Sequence, residues 1–344
     1  MIKSSIRPLQ SIRTTDIKPC FLLNRTQAFH TSHARRAAPN MTTATFKYMD
    51  PASYDPKATA PFEKPWSKVD GPGLSFRLAD YQRDVEDIRG QESNFSPDKS
   101  GFGVYNYPAK EKDFRDDRLV REGYYAEVED VLRQKLGPKV KKVVIFDHTI
   151  RRREKASPRQ PVQQVHVDQT PGAAETRVRR HVPAGEAEAL LAGRYQIINV
   201  WRPIQNPASD FPLALVDART TGPADFIKVD LLYPKRQDSP NDDGDDRGRE
   251  TLPDPNSMTS TQGYEVKGET FGVAPSDKHR FYYVKDMTPD EVMFIKCFDS
   301  RSHWYGHEGV AHGSPHTAFV DPQTPADAPG RQSIEVRSLV FYDD

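Results

Sequence analysis

The chain has 344 residues, 49 of them basic and 49 acidic, so its formal net charge at pH 7 is zero. A neutral chain has no overall field to attract nucleic acid or an anionic membrane surface, and no apolar run approaches the ~18 residues that span a bilayer. These properties argue against nucleic-acid and membrane partners and leave the oligomeric state open. Two cysteines, Cys20 and Cys297, are too few for a disulfide framework and favour a reducing compartment.

Residues 1–40 differ in composition from the rest of the chain. Lysine and arginine outnumber the single acid, Asp16, and serine and threonine are frequent. This composition is typical of a mitochondrial transit peptide, but a disordered basic tail, or an extension before a working start at Met41, explains it equally well. We expect a mitochondrial location if residues 1–40 are a transit peptide and a cytoplasmic one otherwise. Residues 41–344 are predicted to form a single domain.

Helices are predicted mainly in the first half of that domain. The segment YQRDVEDIRG, residues 81–90, has a spacing that allows a short helix inside a Pro-, Asp- and Ser-rich arm. A clearer helix is predicted over residues 116–137, where apolar residues recur mostly at steps of three to five and Gly137 ends the pattern. The Ala- and Glu-rich segment GEAEALLAG, residues 185–193, predicts another helix.

Short strands are predicted through the remainder. KKVVIFDHTIRRR, residues 141–153, predicts a short buried strand followed by a basic turn. PVQQVHVDQT, residues 161–170, predicts a strand whose alternation has a break that a β-bulge would explain. Further strands are predicted over residues 194–204, 212–220, 225–234, 279–287, 291–300, 316–322 and 331–343. This series predicts a mainly β fold with flanking α-helices, a double-stranded β-helix (jelly-roll) barrel. Residues 235–262 hold almost no apolar side chain and are predicted to be a mobile insertion.

The pair His166 and Asp168 is the first candidate for chemistry. Residues two apart on a strand point to the same side, with backbone positions about 6–7 Å apart, so an imidazole and a carboxylate can bind one cation. A second histidine from another strand would complete the two-histidine, one-carboxylate set that leaves open positions on ferrous iron. His316 is the preferred third ligand because it begins an apolar strand after a Gly/Pro turn, and His312 is the runner-up. The other downstream histidines are His279, His303 and His307.

The last predicted strand offers an anion clamp. Arg331, Ser333, Glu335 and Arg337 alternate along RQSIEVRSL and share one face. A guanidinium with a nearby hydroxyl suits the far carboxylate of a 2-oxo acid. Either arginine can serve, while a solvated strand face with Glu335 pairing between the arginines is the alternative. The order His-x-Asp, distal His, Arg-x-Ser is the arrangement of Fe(II)/2-oxoglutarate-dependent oxygenases.

Other polar residues have structural explanations beside functional ones. Asn199, in NVWRPI, is counted with the cofactor-binding residues because it and Trp201 lie opposite Arg202, although an aromatic on a barrel strand is more often core. Asp299 and Ser300 could contact substrate or cap a turn. Cys297 is expected to be a small buried hydrophobic residue. Asp147 and His148 are expected to have a structural role at the end of a strand.

Several segments together resemble a known family. HVDQT, QIINVWRPI, PLALVDA, YYVKDMTPDEVMFIKCFDS, SPHTAFVDP and RQSIEVRSLVFYD resemble the fungal hydroxylase/desaturase group related to gibberellin desaturase and to 7-alpha-cephem-methoxylase-like proteins. The likeness covers roughly residues 41–344. It implies His166, Asp168 and His316 as metal ligands, and Arg331 or Arg337 as the residue that holds the co-substrate. The segment SRSHWYGHEGVAHGS departs from the group's pattern and keeps His312 as an alternative ligand.

The expected function is therefore an Fe(II)/2-oxoglutarate-dependent oxygenase that uses O2 to hydroxylate or desaturate a small organic molecule of fungal secondary metabolism. Two alternatives remain at this point. One is a non-catalytic metabolite-binding barrel, which intact ligand positions disfavour. The other is a zinc-dependent hydrolase with the same His/Asp/His site. The arginine clamp separates the oxygenase from the hydrolase, because hydrolysis needs no 2-oxo acid.

Overall fold

Two β-sheets packed against each other form the protein, in the part that the computed structural model describes: residues 40–69, 73–153, 160–235, 253 and 257–343. The strands, in chain order, are β1 Met41–Met49, β2 Trp66–Lys68, β3 Leu78–Asp87, β4 Phe102–Asn106, β5 Val140–Arg152, β6 His166–Val167, β7 Tyr195–Pro203, β8 Leu213–Val216, β9 Phe226–Pro234, β10 Tyr264–Val273, β11 Phe281–Tyr283, β12 Glu291–Asp299, β13 His316–Ala318 and β14 Gln332–Tyr342.

The helices are few and short. They are α1 Pro97–Ser100, α2 Asp117–Leu119, α3 Tyr125–Leu136, α4 Pro171–His181 and α5 Ala184–Ala192. A π-helical stretch, Val120–Tyr124, joins α2 to α3, so the helix predicted over residues 116–137 is confirmed and Gly137 caps it. The helix α4, which was not predicted from the sequence, begins at Pro171 and is capped by Thr170, whose hydroxyl accepts a hydrogen bond from the Ala173 amide.

The sheet order brings distant segments together. The larger sheet has nine strands in the order β1-β3-β11-β8-β13-β6-β10-β9-β2, and the smaller has five in the order β4-β12-β7-β14-β5. Consecutive strands in the chain are rarely neighbours, which is how jelly-roll topology differs from simple hairpins. The mainly β fold with flanking helices and jelly-roll architecture is therefore confirmed.

The core lies between the two sheets. Ile197 and Leu339 of the smaller sheet pack in one buried cluster with Leu215 and Phe271 of the larger sheet. Strand β7 is buried along its whole length because its other face, including Ile198, packs in a second cluster with residues of α3. The burial of β7 on both faces explains why apolar residues stand next to each other in QIINVW instead of alternating with exposed polar ones.

The helix predicted over residues 81–90 is wrong. Residues 81–87 belong to β3, which pairs with β1 in continuous antiparallel register from Met41–Glu86 to Met49–Leu78. Val85 and Ile88 are buried at a three-residue interval that fits a helix, but here the strand pairing determines the structure. The strand predicted over residues 161–170 is also shorter than expected, because only His166–Val167 form β6.

Two predicted segments fall largely outside the described residues. They are residues 1–39 of the predicted leader and residues 236–252 and 254–256 of the predicted insertion. Among the residues that the structure does describe, no helix is long and apolar enough to cross a membrane.

Candidate metal centre

His166 and His316 meet on neighbouring strands between the sheets. They are direct register partners of β6 and β13, and their ring centroids are 4.5 Å apart. The Pro315 carbonyl accepts a hydrogen bond from the Val216 amide, which holds the start of β13 against β8. One ligand atom from each of His166, Asp168 and His316 lies within 4.8 Å of the others. The two-histidine, one-carboxylate set predicted from the sequence therefore converges on one point.

Hydrogen bonds fix the orientation of both rings. Nδ1 of His166 is 2.7 Å from the Gln164 carbonyl oxygen, and Nδ1 of His316 is 3.1 Å from the Ser314 carbonyl oxygen. A carbonyl only accepts, so each Nδ1 carries the proton and donates it. Nε2 is then the atom that each ring offers to a metal when the ring is neutral.

The carboxylate of Asp168 presents its two oxygens to different partners. Oδ1 lies 3.3 Å from Nε2 of His166 and 3.9 Å from Nε2 of His316. Oδ2 accepts hydrogen bonds from Nδ2 of Asn199 at 2.7 Å and from Nε of Arg337 at 3.3 Å. Oδ1 thus completes the set of ligand atoms, and Oδ2 is held by the protein.

The charges of the site follow from burial and from these contacts. Burial alone would lower the pKa of His166, but the hydrogen bond and charge of Asp168 outweigh it and raise that pKa. The pKa of His316 is lowered to about 4 by burial and by the neighbouring His166. Burial would raise the pKa of Asp168, yet His166 and Arg337 hold it well below its usual range. The site is therefore an anionic carboxylate beside a neutral imidazole.

Arg331 lies in the same cavity as the three residues. The cavity is lined by His166, Asp168, His316 and Arg331, together with Ser333 and Trp201. Nη1 of Arg331 donates to the Phe211 carbonyl at 2.7 Å, and its guanidinium lies 5.7 Å from the centre of the Trp201 ring. Burial and the nearby Arg151 lower its pKa to about 9. Nε of Arg331 has no hydrogen-bond partner among the described residues, so an anionic ligand fits it.

Arg337 occupies a different environment, although it also borders the cavity. Its guanidinium contacts Asp147 at 3.1 Å and Glu335 at 2.7 Å, in addition to Asp168. Burial would lower its pKa, but these carboxylates outweigh that effect and raise the pKa well above its usual range. Three carboxylates already neutralise Arg337, so of the two predicted clamps the structure favours Arg331. Asn199, predicted to bind cofactor, lies against Asp168 and is not among the residues that line the cavity.

The runner-up ligand, His312, lies elsewhere. Its ring stacks on Trp304 with centroids 3.8 Å apart, and Nδ1 is 3.0 Å from the Ser302 hydroxyl. Burial lowers its pKa to about 3. The metal-ligand group found among the described residues does not include His312. The remaining downstream histidines are also outside that group: His279, His303 and His307.

The other polar candidates have structural contacts. Asp299 is fully buried and pairs with Lys296 at 2.7 Å, and Ser300 accepts a hydrogen bond from the Tyr195 amide. Asp147 pairs with Arg337. His148 lies between Tyr125, 2.8 Å away, and Asp117, 3.2 Å away. Cys297 is a buried free thiol, as expected.

Sequence analysis missed part of the cavity wall. Thr149 and Arg151 of β5 line it, as do Val162, Leu213 and Ala318. Thr149 and Arg151 lie two and four residues after Asp147, so on a strand they share its face. Asp147 is the register partner of Arg337, so these residues lie on the same face of the sheet as Arg337. The apolar residues carry no chemical signal, and only the fold brings them to the cavity.

A family model described as an oxidoreductase/YMDC permease-like domain matches residues 46–341. The hydroxylase/desaturase efuI of Hormonema carpetanum is 32% identical over 276 residues, which cover 76% of this chain and 83% of that protein. The Fe(II)/2-oxoglutarate-dependent dioxygenase nvfI of Aspergillus novofumigatus is 30% identical over 276 residues, covering 78% of this chain and 85% of the relative.

A solved structure agrees with these relatives. The iron and alpha-ketoglutarate-dependent endoperoxidase NvfI superposes with a TM-score of 0.69 at 27% identity, covering 89% of this chain and 100% of the solved chain. A second structure of the same enzyme in a different conformation gives a TM-score of 0.70 at 26% identity. Sequence and fold therefore indicate the same group of proteins.

Proposed function

The chain belongs to the fungal hydroxylase/desaturase family of Fe(II)/2-oxoglutarate-dependent oxygenases, and we propose that His166, Asp168 and His316 hold the iron and Arg331 the 2-oxoglutarate. The protein is an enzyme that uses Fe(II), 2-oxoglutarate and O2 to hydroxylate or desaturate a small organic molecule. The observation that carries the assignment of residues is the convergence of the three ligand atoms within 4.8 Å of one another.

The donor set fits ferrous iron. Two neutral imidazole nitrogens and one carboxylate oxygen are the ligands of the facial triad found in non-haem Fe(II) oxygenases. Both rings are fixed by their Nδ1–H bonds to backbone carbonyls, so no rearrangement is needed to present Nε2. When bound, the iron supplies the oxidising chemistry, with O2 and 2-oxoglutarate as its reactants, that no side chain of the chain can supply.

Arg331 provides the charge that a 2-oxo acid needs. It is buried just before β14, it lines the same cavity as the three ligands, and Ser333, two residues later in β14, lines that cavity too. The guanidinium can make two parallel hydrogen bonds to a carboxylate, and the Ser333 hydroxyl can add a third. The guanidinium lies over the Trp201 ring, and the Phe211 carbonyl accepts a hydrogen bond from its Nη1. A 2-oxo acid clamp of this kind disfavours the zinc hydrolase, because hydrolysis needs no 2-oxo acid.

The remaining wall orients the substrate. Val162, Leu213 and Ala318 give the cavity an apolar side next to His316, and an apolar side suits the hydrocarbon part of an organic molecule. Binding there excludes water from the space between substrate and ligands. The protein therefore positions the reactants, supplies the charge that binds 2-oxoglutarate and shields the site from water, which is what a protein adds to cofactor chemistry.

Succinate formation tests the proposal. Full-length protein, depleted of metal and reconstituted with Fe(II), is expected to convert 2-oxoglutarate to succinate in the presence of O2, and His166→Ala is expected to lose this turnover. His312→Ala is the matched control, since it removes a buried histidine outside the cavity and is expected to keep the rate. Equal succinate formation by wild type and His166→Ala, or formation that does not need Fe(II), would overturn the assignment.

A further inference from the structure

We infer that Asn199 and Arg337 are positioning residues that keep Asp168 bound to the metal through a single oxygen. This inference rests on the proposed function of His166, Asp168 and His316. A carboxylate can bind a metal through one oxygen or through both. With one oxygen bound, the three protein ligands leave the positions that a chelating co-substrate and O2 require.

The first observation is that the two carboxylate oxygens are separated by their partners. Oδ1 faces both imidazoles, at 3.3 Å and 3.9 Å from their Nε2 atoms. Oδ2 receives two donors, from Asn199 at 2.7 Å and Arg337 at 3.3 Å. A metal that sought a second bond to Asp168 would have to displace both donors, so Oδ2 is reserved for the protein.

The second observation is the way in which the smaller sheet presents these donors. Arg337 on β14 is the direct register partner of Asn199 on β7 and of Asp147 on β5. Asp147, Asn199 and Arg337 therefore form a row across three adjacent strands. Asp168 follows β6, a strand of the opposite sheet, so Asn199 and Arg337 donate hydrogen bonds to it from across the core.

The third observation concerns the rigidity of the row. The guanidinium of Arg337 is held by Asp147 at 3.1 Å, Thr149 at 3.1 Å and Glu335 at 2.7 Å, which leaves its Nε directed at Asp168. Asn199 is completely buried, and its side-chain oxygen has no hydrogen-bond partner among the described residues. A buried amide with an unused acceptor is a poor choice for stability alone, which points to a role in the site.

Cobalt titration of the metal-free full-length protein tests the inference. Co(II) binds the same donors as Fe(II) and reports its ligand environment through visible absorption. We expect Asn199→Ala and Arg337→Lys to weaken Co(II) binding by about 10- to 100-fold, as loss of the groups that orient metal ligands does. The Co(II) spectrum should change as well, because the freed Oδ2 alters the ligand field.

The matched control is Gln196→Ala. Gln196 lies on the same strand as Asn199, is equally buried, and donates to the buried carboxylate of Asp299 at the same 2.7 Å. Its removal should lower stability without changing Co(II) affinity or spectrum. Where Arg337→Lys does not fold, Asn199→Ala against Gln196→Ala decides the question.

Wild-type affinity and spectrum in Asn199→Ala and Arg337→Lys would overturn the inference, as would equal weakening by Gln196→Ala. Failure of the proposed function has a different signature, because His166→Ala would then bind Co(II) as tightly as wild type. A wild type that binds Co(II), a His166→Ala that does not, and an unchanged Asn199→Ala would leave the function standing and this inference wrong.

Discussion

His166 and His316 face each other as register partners on β6 and β13, with ring centroids 4.5 Å apart. Their sequence separation gives no hint of this contact, since it depends on β13 pairing with β6 in the larger sheet. Each ring donates its Nδ1 proton to a carbonyl two residues before it, Gln164 for one and Ser314 for the other. The same local arrangement on two strands thus prepares two equivalent ligand atoms.

The choice between His316 and His312 gives the first prediction. His316→Ala should lower Fe(II) affinity by at least about 100-fold, since loss of a ligand costs no less than loss of the groups that orient it. His312→Ala should leave the affinity unchanged because His312 stacks on Trp304 outside the metal-ligand group. Iron content after equilibrium dialysis measures both. Retention of iron by His316→Ala together with loss by His312→Ala would reverse the assignment.

The co-substrate clamp gives the second prediction. Arg331→Gln should raise the KM for 2-oxoglutarate by at least about 30-fold, because removing one partner of a buried charged pair costs about 2 kcal/mol or more. Arg331→Lys should fall between this variant and wild type, since it keeps the charge but loses the planar fork. Initial rates of succinate formation measure the effect. An unchanged KM in Arg331→Gln would show that the carboxylate binds elsewhere.

A buried ion pair far from the metal ligands gives the third prediction. Burial would raise the pKa of Asp299, but Lys296 and Arg194 lower it from 3.8 to about 2. A carboxyl whose pKa is lower in the folded state stabilises the fold above its unfolded pKa and loses this contribution as the pH falls through the folded pKa. The contribution is about 2 kcal/mol at neutral pH and disappears between about pH 4 and pH 2.

Urea unfolding of wild type and Asp299→Asn at pH 6 and near pH 2 measures this contribution of Asp299 to stability. The difference in free energy of unfolding between the two proteins should be smaller at the lower pH. Asp327→Asn, which removes an exposed carboxylate, serves as the control and should differ little from wild type at either pH. A difference for Asp299→Asn that stays constant with pH would contradict the assigned charge.

Two glycines with similar backbone angles give the fourth prediction. Gly101 has φ +83° and ψ 0°, and Gly306 has φ +86° and ψ 9°, so alanine is strained at both. A Cβ on Gly101 would lie 2.9 Å from Cβ of Ser314, whereas no heavy atom of the described residues lies within 4 Å of a Cβ on Gly306. Gly306→Ala should cost about 1 kcal/mol and Gly101→Ala about 1–3 kcal/mol more. Denaturant unfolding compares them, and equal costs would show that the Ser314 segment yields freely.

The candidate ligands could be named from the sequence because their spacing carries chemical information. A His-x-Asp pair on a strand and a histidine at the start of another limit the geometry, and the structure brings all three together. Two of the three carboxylates that pair with Arg337 could not be predicted in the same way. Glu335 and Arg337 share a strand face, but Asp147 and Asp168 reach Arg337 only through the register of β5 and the packing of the other sheet.

The type of a secondary-structure element could be predicted where the sequence fits only one periodicity, that of a strand or that of a helix. The fully buried, largely apolar β7 and the amphipathic α3 were both predicted correctly, since strand and helix periods differ. Strand β3 was not, because its partly exposed sequence fits a short helix and only pairing with β1 decides. Strand β6 was read as longer than its two residues, since alternation continues where strand pairing stops.

Anaerobic titration with Fe(II) and 2-oxoglutarate tests the central claim most directly. If His166, Asp168 and His316 hold iron beside Arg331, the wild-type protein should develop the weak visible charge-transfer band of the iron–2-oxoglutarate chelate, and His166→Ala should not. No band in wild type, or an undiminished band in His166→Ala, would contradict the claim that these residues form the iron site.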